Sequence, residues 1–566
     1  MNKKSLTWAA PGDVNAFFGL MLDNLAGLVL TVSLLAGAFG FPANIAMRYM
    51  VPGTAIGVFV GDLLYFCMAI WLIRKTGRDD VTAMPLGLDT PSTFGMIFMV
   101  LGPAFASAKA EYGADATEDQ IQAAAIHAWH IGVCCIVFTG FIKLFFSFFA
   151  GLARKVFPRA GLLGSLAAIS LVLITFFPML EIMASPLVGL VSLSIILTTL
   201  VAHISLPGRI PGALGAVLVA GTIYYIILWV EHATGAQLMY VSKSLTAADA
   251  TAGLLPTEWT SVFSMQWLDA FPDAINYLPI ITPFAIATVV GGIDCTESAA
   301  AAGDEYNTSM VIGVEAVATI IAGLCGGVIQ TTPYIGHPAY KSMGGRSAYT
   351  LATAIFIGSA GLLGYFGFIY LWLPSVAIIP ILIFVGLEMG AQSFAATPKR
   401  HYTAVALAMI PALAVLGEGL IIDGVMQDPA IRGAGITSAS LLPNNQTTLE
   451  VIHLLNGGFI ITSLLWASAL AAIIDRQLSR ASLYFLICGI FTLFGIMHSP
   501  LVNNEMFLLP FPGLSPDSFG IVTDPELVKK VVTLAASYGL VAIFLQVMAY
   551  TAPGLNEIPA HLDMDK

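Results

Sequence analysis

Long apolar runs alternate along the chain with short polar ones, and the runs have the length of membrane spans. A helix of about 20 mostly apolar residues crosses a bilayer. This predicts spans at roughly 14–40, 49–74, 127–150, 161–180, 187–205 and 211–231 in the first part of the chain. The run between the second and fourth of these is different. MPLGLDTPSTFGMIFMVLGP opens at Met84 with a short extended piece containing Pro85 and Gly87, then restarts as a half-helix at Asp89, Thr90 and Pro91, residue types that cap and begin helices. After the polar stretch His232 to Pro272 the scheme returns, at roughly 276–300, 307–328, a broken piece at 329–343, 347–373, 375–394, 401–423 and 450–475. Two more apolar runs, 481–498 and 530–551, follow.

Each half thus holds about seven spans. Seven is odd, so a second copy of the unit must enter the membrane upside down. Both halves place a Gly/Pro-interrupted segment third, LGLDTPSTFG in one and QTTPYIGHPAYKSMGG in the other, and matched interruptions point to an inverted-repeat transporter. The predicted layout is a first repeat at 1–231, an extracytoplasmic connection at 232–275, a second repeat at 276–475, and C-terminal extra spans and tail at 476–566. Basic clusters such as Arg74, Lys75 and Arg78, or Arg154, Lys155 and Arg159, fall on one side, while Arg48, Lys109, Lys243, Arg432, Lys529 and Lys530 fall on the other. That asymmetry predicts cytoplasmic N- and C-termini in a multi-pass protein of the cytoplasmic (inner) membrane. The first run contains Asp23 and Asn24 and lacks a small-residue cleavage site, so it reads as a retained span rather than a signal peptide.

Composition narrows the classes further. With 57% hydrophobic and 10% charged residues, the chain reads as an all-α integral membrane protein whose standing partner is the lipid bilayer. The net charge of -11 is spread over loops with no basic stripe, which excludes nucleic acid as a partner. Six cysteines, Cys67, Cys134, Cys135, Cys295, Cys325 and Cys488, lie in apolar surroundings without metal-ligand spacing and read as buried free thiols. No Walker loop, His-Glu-x-x-His or dinucleotide fingerprint occurs. The expectation is a protein that is not an enzyme, has no catalytic residues, cofactor or metal, and takes a small-molecule substrate, with H+ or Na+ as the candidate coupling ions.

The chemistry concentrates between Ile286 and Arg346. There IATVVGGIDCTESAAAAGDEYN places Asp294 and Glu297 three residues apart in an apolar or small-residue run. Such carboxylates are expected to face a cavity, and their mutual repulsion suits one of them to carrying a coupling proton. The alternative is a span that ends early and leaves Glu297 at a wet helix end. Asp89 and Thr90 begin the first half-helix, and Thr331, Thr332, Tyr334 and His337 surround the start of the second. Opposed half-helix starts offer free N–H groups to a carbonyl or anionic substrate. Asp89 reads equally as a plain N-cap, and His337 as either a substrate partner or a polar start to the helix before Pro338. Asp23 and Asn24 either line the cavity, with Asp23 a third coupling candidate, or bond to a neighbouring helix. Lys143, Glu315, Glu388 and Glu418 carry the same two readings, of which the structural or gate-domain polar contact is favoured.

At TVVGGIDCTESAAAAG and TTPYIGHPAYKSMGGRSAYT the chain resembles the nucleobase:cation symporter-2 family, most closely its AzgA-like adenine, guanine and hypoxanthine permeases. Asp294 matches that branch's eighth-span aspartate. Thr331, Thr332, Tyr334 and Ile335 match its tenth-span strand, and Gly344, Gly345 and Arg346 its closing motif. The resemblance implies core and gate domains, short strands in spans three and ten, and substrate held between the half-helices opposite span eight. It also implies an elevator-like movement of the core and homodimerisation through the gate. The family's tenth-span glutamate falls on Gly336 here, with His337 in the neighbouring serine's place, and Glu297 stands where the family has glycine. These three positions complete the expected substrate set.

Overall fold

A computed structural model describes residues 7–551 apart from 114–115, 208–209, 211, 240–246, 248–250, 252, 335, 373, 419–442, 502–505, 510–521 and 523. Among the described residues, eight helices are long and apolar enough to cross a membrane, nine if one bent pair is a single span. Four shorter apolar helices, Pro186–Val201, Thr308–Leu324, Ala348–Leu363 and Leu478–Leu493, fall on further predicted spans. The protein is a multi-pass membrane protein of the all-α class, and its arrangement agrees with the predicted inverted-repeat fold.

Among the described residues, one two-stranded sheet occurs, and it carries the repeat signature. Strand β1 (Leu86–Leu88) and strand β2 (Thr331–Pro333) come from the interrupted segments of the two halves and pair antiparallel, Leu86 with Pro333, Gly87 with Thr332 and Leu88 with Thr331. The pairing runs on at both ends, where Asp89 N donates to Gln330 O at 3.2 Å and Tyr334 N to Pro85 O at 2.7 Å. Backbone that leaves the helical state at membrane depth must find partners inside the protein, and each broken segment supplies them to the other. Beyond β1 the chain restarts as α3 (Thr90–Gly95), which continues through a π turn at Met96–Leu101 to Ala110. Beyond β2 it restarts as the short α8 (His337–Ser342).

The described residues group into two compact units, one of 1–150 with 174–389 and one of 151–173 with 390–566. Each unit draws on both sequence halves. The first contains the sheet and the helices around it: α1 (Asp13–Phe39), α2 (Ala43–Thr76), most of α4 (Glu118–Val156), α6 (Leu278–Ala301) and α7 (Thr308–Leu324). There α2 packs so closely on the end of α7 that a Cβ at Gly53 would overlap the backbone of Cys325 and Gly327. In the second unit α5 (Arg159–Ile169), α9 (Tyr402–Leu416) and α11 (Phe459–Ile474) meet on Ala160, Ala167, Ala404, Ala408, Ala467 and Ala471. Small residues let membrane helices approach closely.

Three expectations need correction. The run 450–475 is two helices, α10 (Gln446–Asn456) and α11, bent by 82°, because Gly457 and Gly458 leave the helix and Gly458 adopts a φ of 70°. The run 347–373 likewise breaks at Gly364, whose φ is 76°. All six cysteines are free, but Cys67 is exposed on its helix flank and Cys325 is only half-buried; an apolar neighbourhood in sequence also describes a side chain facing lipid. The expected end of span thirteen runs into 419–442, outside the described residues, as do Ile335, Lys243 and Arg432.

Candidate functional site

The two strands have short edges, and buried side chains complete them. Leu86 N donates to Asp62 Oδ1 of α2 at 3.0 Å, and Leu86 O accepts from Asn24 Nδ2 of α1 at 3.1 Å. Asn24 and Asp62 are both fully buried. Asn24 therefore bonds outside its own helix, as one of its two readings had it, but to strand β1 and not to a neighbouring helix. Asp62 escaped the sequence reading, although an aspartate within the apolar run 49–74 is the same signal that marked Asp23.

Asp89 caps α3, its Oδ2 accepting from Ser92 N at 2.9 Å, while its backbone carbonyl accepts from Thr93 Oγ1 at 2.7 Å. The backbone of Thr90 opens α3, but its side chain lies outside the described residues. Thr332 stands opposite Gly87. A Cβ at Gly87 would lie 3.0 Å from the Tyr334 ring and 3.4 Å from Asp23 Oδ2, so Asp23 and Tyr334 meet over that glycine. Tyr334 is stacked on Tyr340, ring centres 6.1 Å apart at 28°, and Tyr340 tilts onto Tyr349. A Cβ at Gly336 would come within 2.8 Å of Tyr334 and 3.1 Å of Tyr340. Any side chain at this position would have to displace the Tyr334 ring.

His337 is turned the other way. Its Nε2 lies 3.2 Å from Thr82 O and 3.3 Å from Asp304 Oδ2. Asp304, in the loop after α6, is fully buried and also meets Lys341 Nζ at 2.6 Å, Arg78 Nη2 at 3.1 Å and Thr82 N at 3.0 Å. Burial works against its charge. Hydrogen bonds from His337 and Lys341, with the positive charge around them, prevail and hold the carboxyl down to about 2. This cluster ties α8 to the end of α6 and to the approach to β1.

Between α4 and α7 lies a second buried group that sequence reading treated as structural. Lys143 Nζ reaches Glu315 Oε1 at 2.7 Å and donates to Thr331 O at 2.8 Å, with neither side chain exposed. Thr319 and Thr331 place their hydroxyls 3.1 Å apart beside it. Glu315 Oε2 points toward Gly292 of α6, where an added Cβ would lie 2.9 Å away.

Asp294 and Glu297 are both buried on α6. Cys295, between them, donates to Pro333 O at 3.3 Å, which sets this part of α6 against the end of β2. A small cavity with free room for about one water molecule lies elsewhere on the same helix. Ser92, Gly95 and Met96 of α3, Thr139 of α4, Phe284 of α6 and Gln330 stand in its wall. Thr288 Oγ1 donates to Gln330 Oε1 at 3.3 Å and fixes the carboxamide. Ten residues separate Phe284 from Asp294, about 15 Å along a helix, and neither α6 acid belongs to the cavity wall. The predicted residues thus divide between the α3 start, the Tyr334 stack, the Asp304 cluster and the C-terminal half of α6. Ser92, Phe284 and Gln330, which sequence reading passed over, provide a helix start, a flat apolar wall and an amide.

No protein-family model and no curated protein matches this chain. The transmembrane domain of a cyanobacterium bicarbonate transporter, BicA, is similar in structure with a TM-score of 0.39 and 12% identity, covering 71% of this chain and 96% of that one.

Proposed function

We propose that the protein is a secondary active transporter for a purine-like nucleobase or related small heterocycle, coupled to protons or sodium, of the AzgA-like kind in the nucleobase:cation symporter-2 family. The observation that carries the reading is the meeting of two broken segments, third in their respective halves, as a buried strand pair with a helix starting beyond each. Breaking two spans at membrane depth is costly in a passive scaffold. In the cavity at the α3 start Gln330 can both donate and accept in the plane of a ring and Phe284 offers a flat face, and the space between them, which holds about one water in this conformation, must widen to admit a heterocycle. Asp294 and Glu297, buried further along α6 and outside that cavity wall, are the acids proposed for coupling and for substrate contact when the core moves, with Asp23 beside Tyr334 as a further group. The protein acts in the cytoplasmic membrane with both termini inside, as a homodimer.

The test is uptake of labelled hypoxanthine and adenine by cells lacking their own purine permeases, with and without a protonophore. Saturable uptake that collapses with the gradient and in Asp294→Asn supports the reading. Undiminished uphill uptake by that variant removes Asp294 from coupling, and no uptake of either base by well-expressed protein removes the purine. A second reading, a permease for a small organic or inorganic anion, is favoured by Gly336 and the closed Tyr334–Tyr340 stack, which leave no acid at the position expected to hold a purine ring. Failure of unlabelled purines to compete with such an anion would select it.

A further inference from the structure

The Lys143–Glu315 pair is buried at the crossing of the two broken segments, where an ion pair is an expensive way to join two helices. Desolvating two charges costs several kcal/mol each, and well-packed apolar residues of similar volume often serve as well or better. Its surroundings make the count of charges more telling. Lys143 is the cation of the group; Glu315 and Asp89 are its two carboxylates, Asp89 standing beside β2 with its N–H on the carbonyl of Gln330, next to the Thr331 carbonyl that Lys143 holds. The other titratable side chains facing Glu315 are Tyr65 of α2, whose hydroxyl donates to Val311 O, and Cys295 of α6, whose thiol donates to Pro333 O. Both are neutral in their ordinary state. With Lys143 charged and both carboxyls ionised the group carries one net negative charge around an ion pair whose two side chains are fully buried. One further proton makes it neutral.

We propose that the Lys143–Glu315 pair, with Asp89, is a binding site for one transported proton, distinct from the acids Asp294 and Glu297. A proton from the side of higher proton activity forms an O–H bond on the Glu315 carboxylate. Lys143 stays an ammonium, keeps its hydrogen bond to Thr331 O, and so registers the loss of its ion pair directly on β2. When the proton leaves to water on the other side, the O–H bond breaks and the pair re-forms. Sodium suits the site less well. The position between the Thr331 carbonyl, the Glu315 carboxylate and the threonine hydroxyls, which is where oxygen ligands would hold a cation, is taken up by the Lys143 ammonium. The link to transport rests on the function proposed above, whereas the proton site itself does not.

The experiment therefore reads the carboxyl before it reads transport. Infrared difference spectra of the purified full-length protein, recorded as pH is stepped through neutrality, should contain the carbonyl band of a protonated buried carboxylic acid. That band should be lost in Glu315→Gln, kept in Asp294→Asn, and unchanged when sodium chloride is replaced by choline chloride. Should Glu315→Gln fold poorly, Lys143→Met/Glu315→Met removes both charges together and should fold and lack the band. A band that survives both variants, or one that responds to sodium and not to pH, overturns the proposal. In proteoliposomes Glu315→Gln should then lose all proton-driven accumulation of hypoxanthine, its inside-to-outside ratio falling to unity, while hypoxanthine counterflow persists. Wild-type protein that shows the band but carries no purine overturns the purine reading and leaves the proton site standing.

Discussion

Asp304 lies 2.6 Å from Lys341 through one carboxylate oxygen, and the same oxygen faces His337 at 3.3 Å, so a single loop residue grips both the first and the penultimate turn positions of the short helix α8. This contact gives the first prediction. The Asp304 carboxyl is held at about 2 against an ordinary 3.8. A carboxyl with a depressed folded-state pKa contributes stability that is present above the unfolded value and lost as pH falls through the folded one. Its contribution, on the order of 2 kcal/mol, should be complete above about pH 4 and gone near pH 2. Thermal unfolding in detergent should show this loss on acidification, and Asp304→Asn should lack that part of the acid response. Equal acid sensitivity in the variant would contradict the assignment.

Both backbone groups of Leu86 depend on side chains. Asn24→Ala and Asp62→Ala should each cost about 1–3 kcal/mol, the range for a buried polar group left without its partner. The two effects should be more than additive or less than additive by a measurable coupling, because both residues serve one peptide strand. Chemical or thermal unfolding of the single and double variants checks this. Two near-zero changes would show that β1 is held by other means.

Gly336 is closed in by Tyr334 and Tyr340. Gly336→Ala should destabilise by about 1–3 kcal/mol through overpacking, and Tyr334→Leu should relieve part of that cost. Gly336→Glu, which restores the residue expected from family likeness, should be worse than Ala and should not confer purine uptake by itself. The double variant measured beside the two singles decides whether the ring is the obstacle.

Gly458 adopts a positive φ at the 82° bend, and a side chain there would overlap the carbonyl of Ile496. Gly458→Ala should therefore lower the unfolding temperature, while Gly457→Ala, at a φ of -57°, should be tolerated better. Comparable losses in both would assign the effect to the bend and not to Gly458.

The alternation of apolar and polar runs was enough to determine the membrane class, the position of nearly every span and the two interruptions, because each depends on residues adjacent in the chain. A span is a local count of apolar length. A broken span is a local cluster of Gly, Pro and capping residues, and Asp89 and Asn24 carried readable alternatives for the same reason. The pairing of 86–88 with 331–333 joins segments far apart in sequence, and the tertiary structure alone decided how the polar residues are shared around it. It gave His337 to Asp304 and filled the place beside Gly336 with two tyrosines. It put Gln330 and Phe284 in the cavity wall, where neither a spacing nor a charge had marked them. It also brought Lys143 and Glu315, 172 residues apart by their numbers, to 2.7 Å. A lone charge in an apolar run shows that it needs a partner; which partner it finds is settled by the packing of helices that the sequence specifies only collectively.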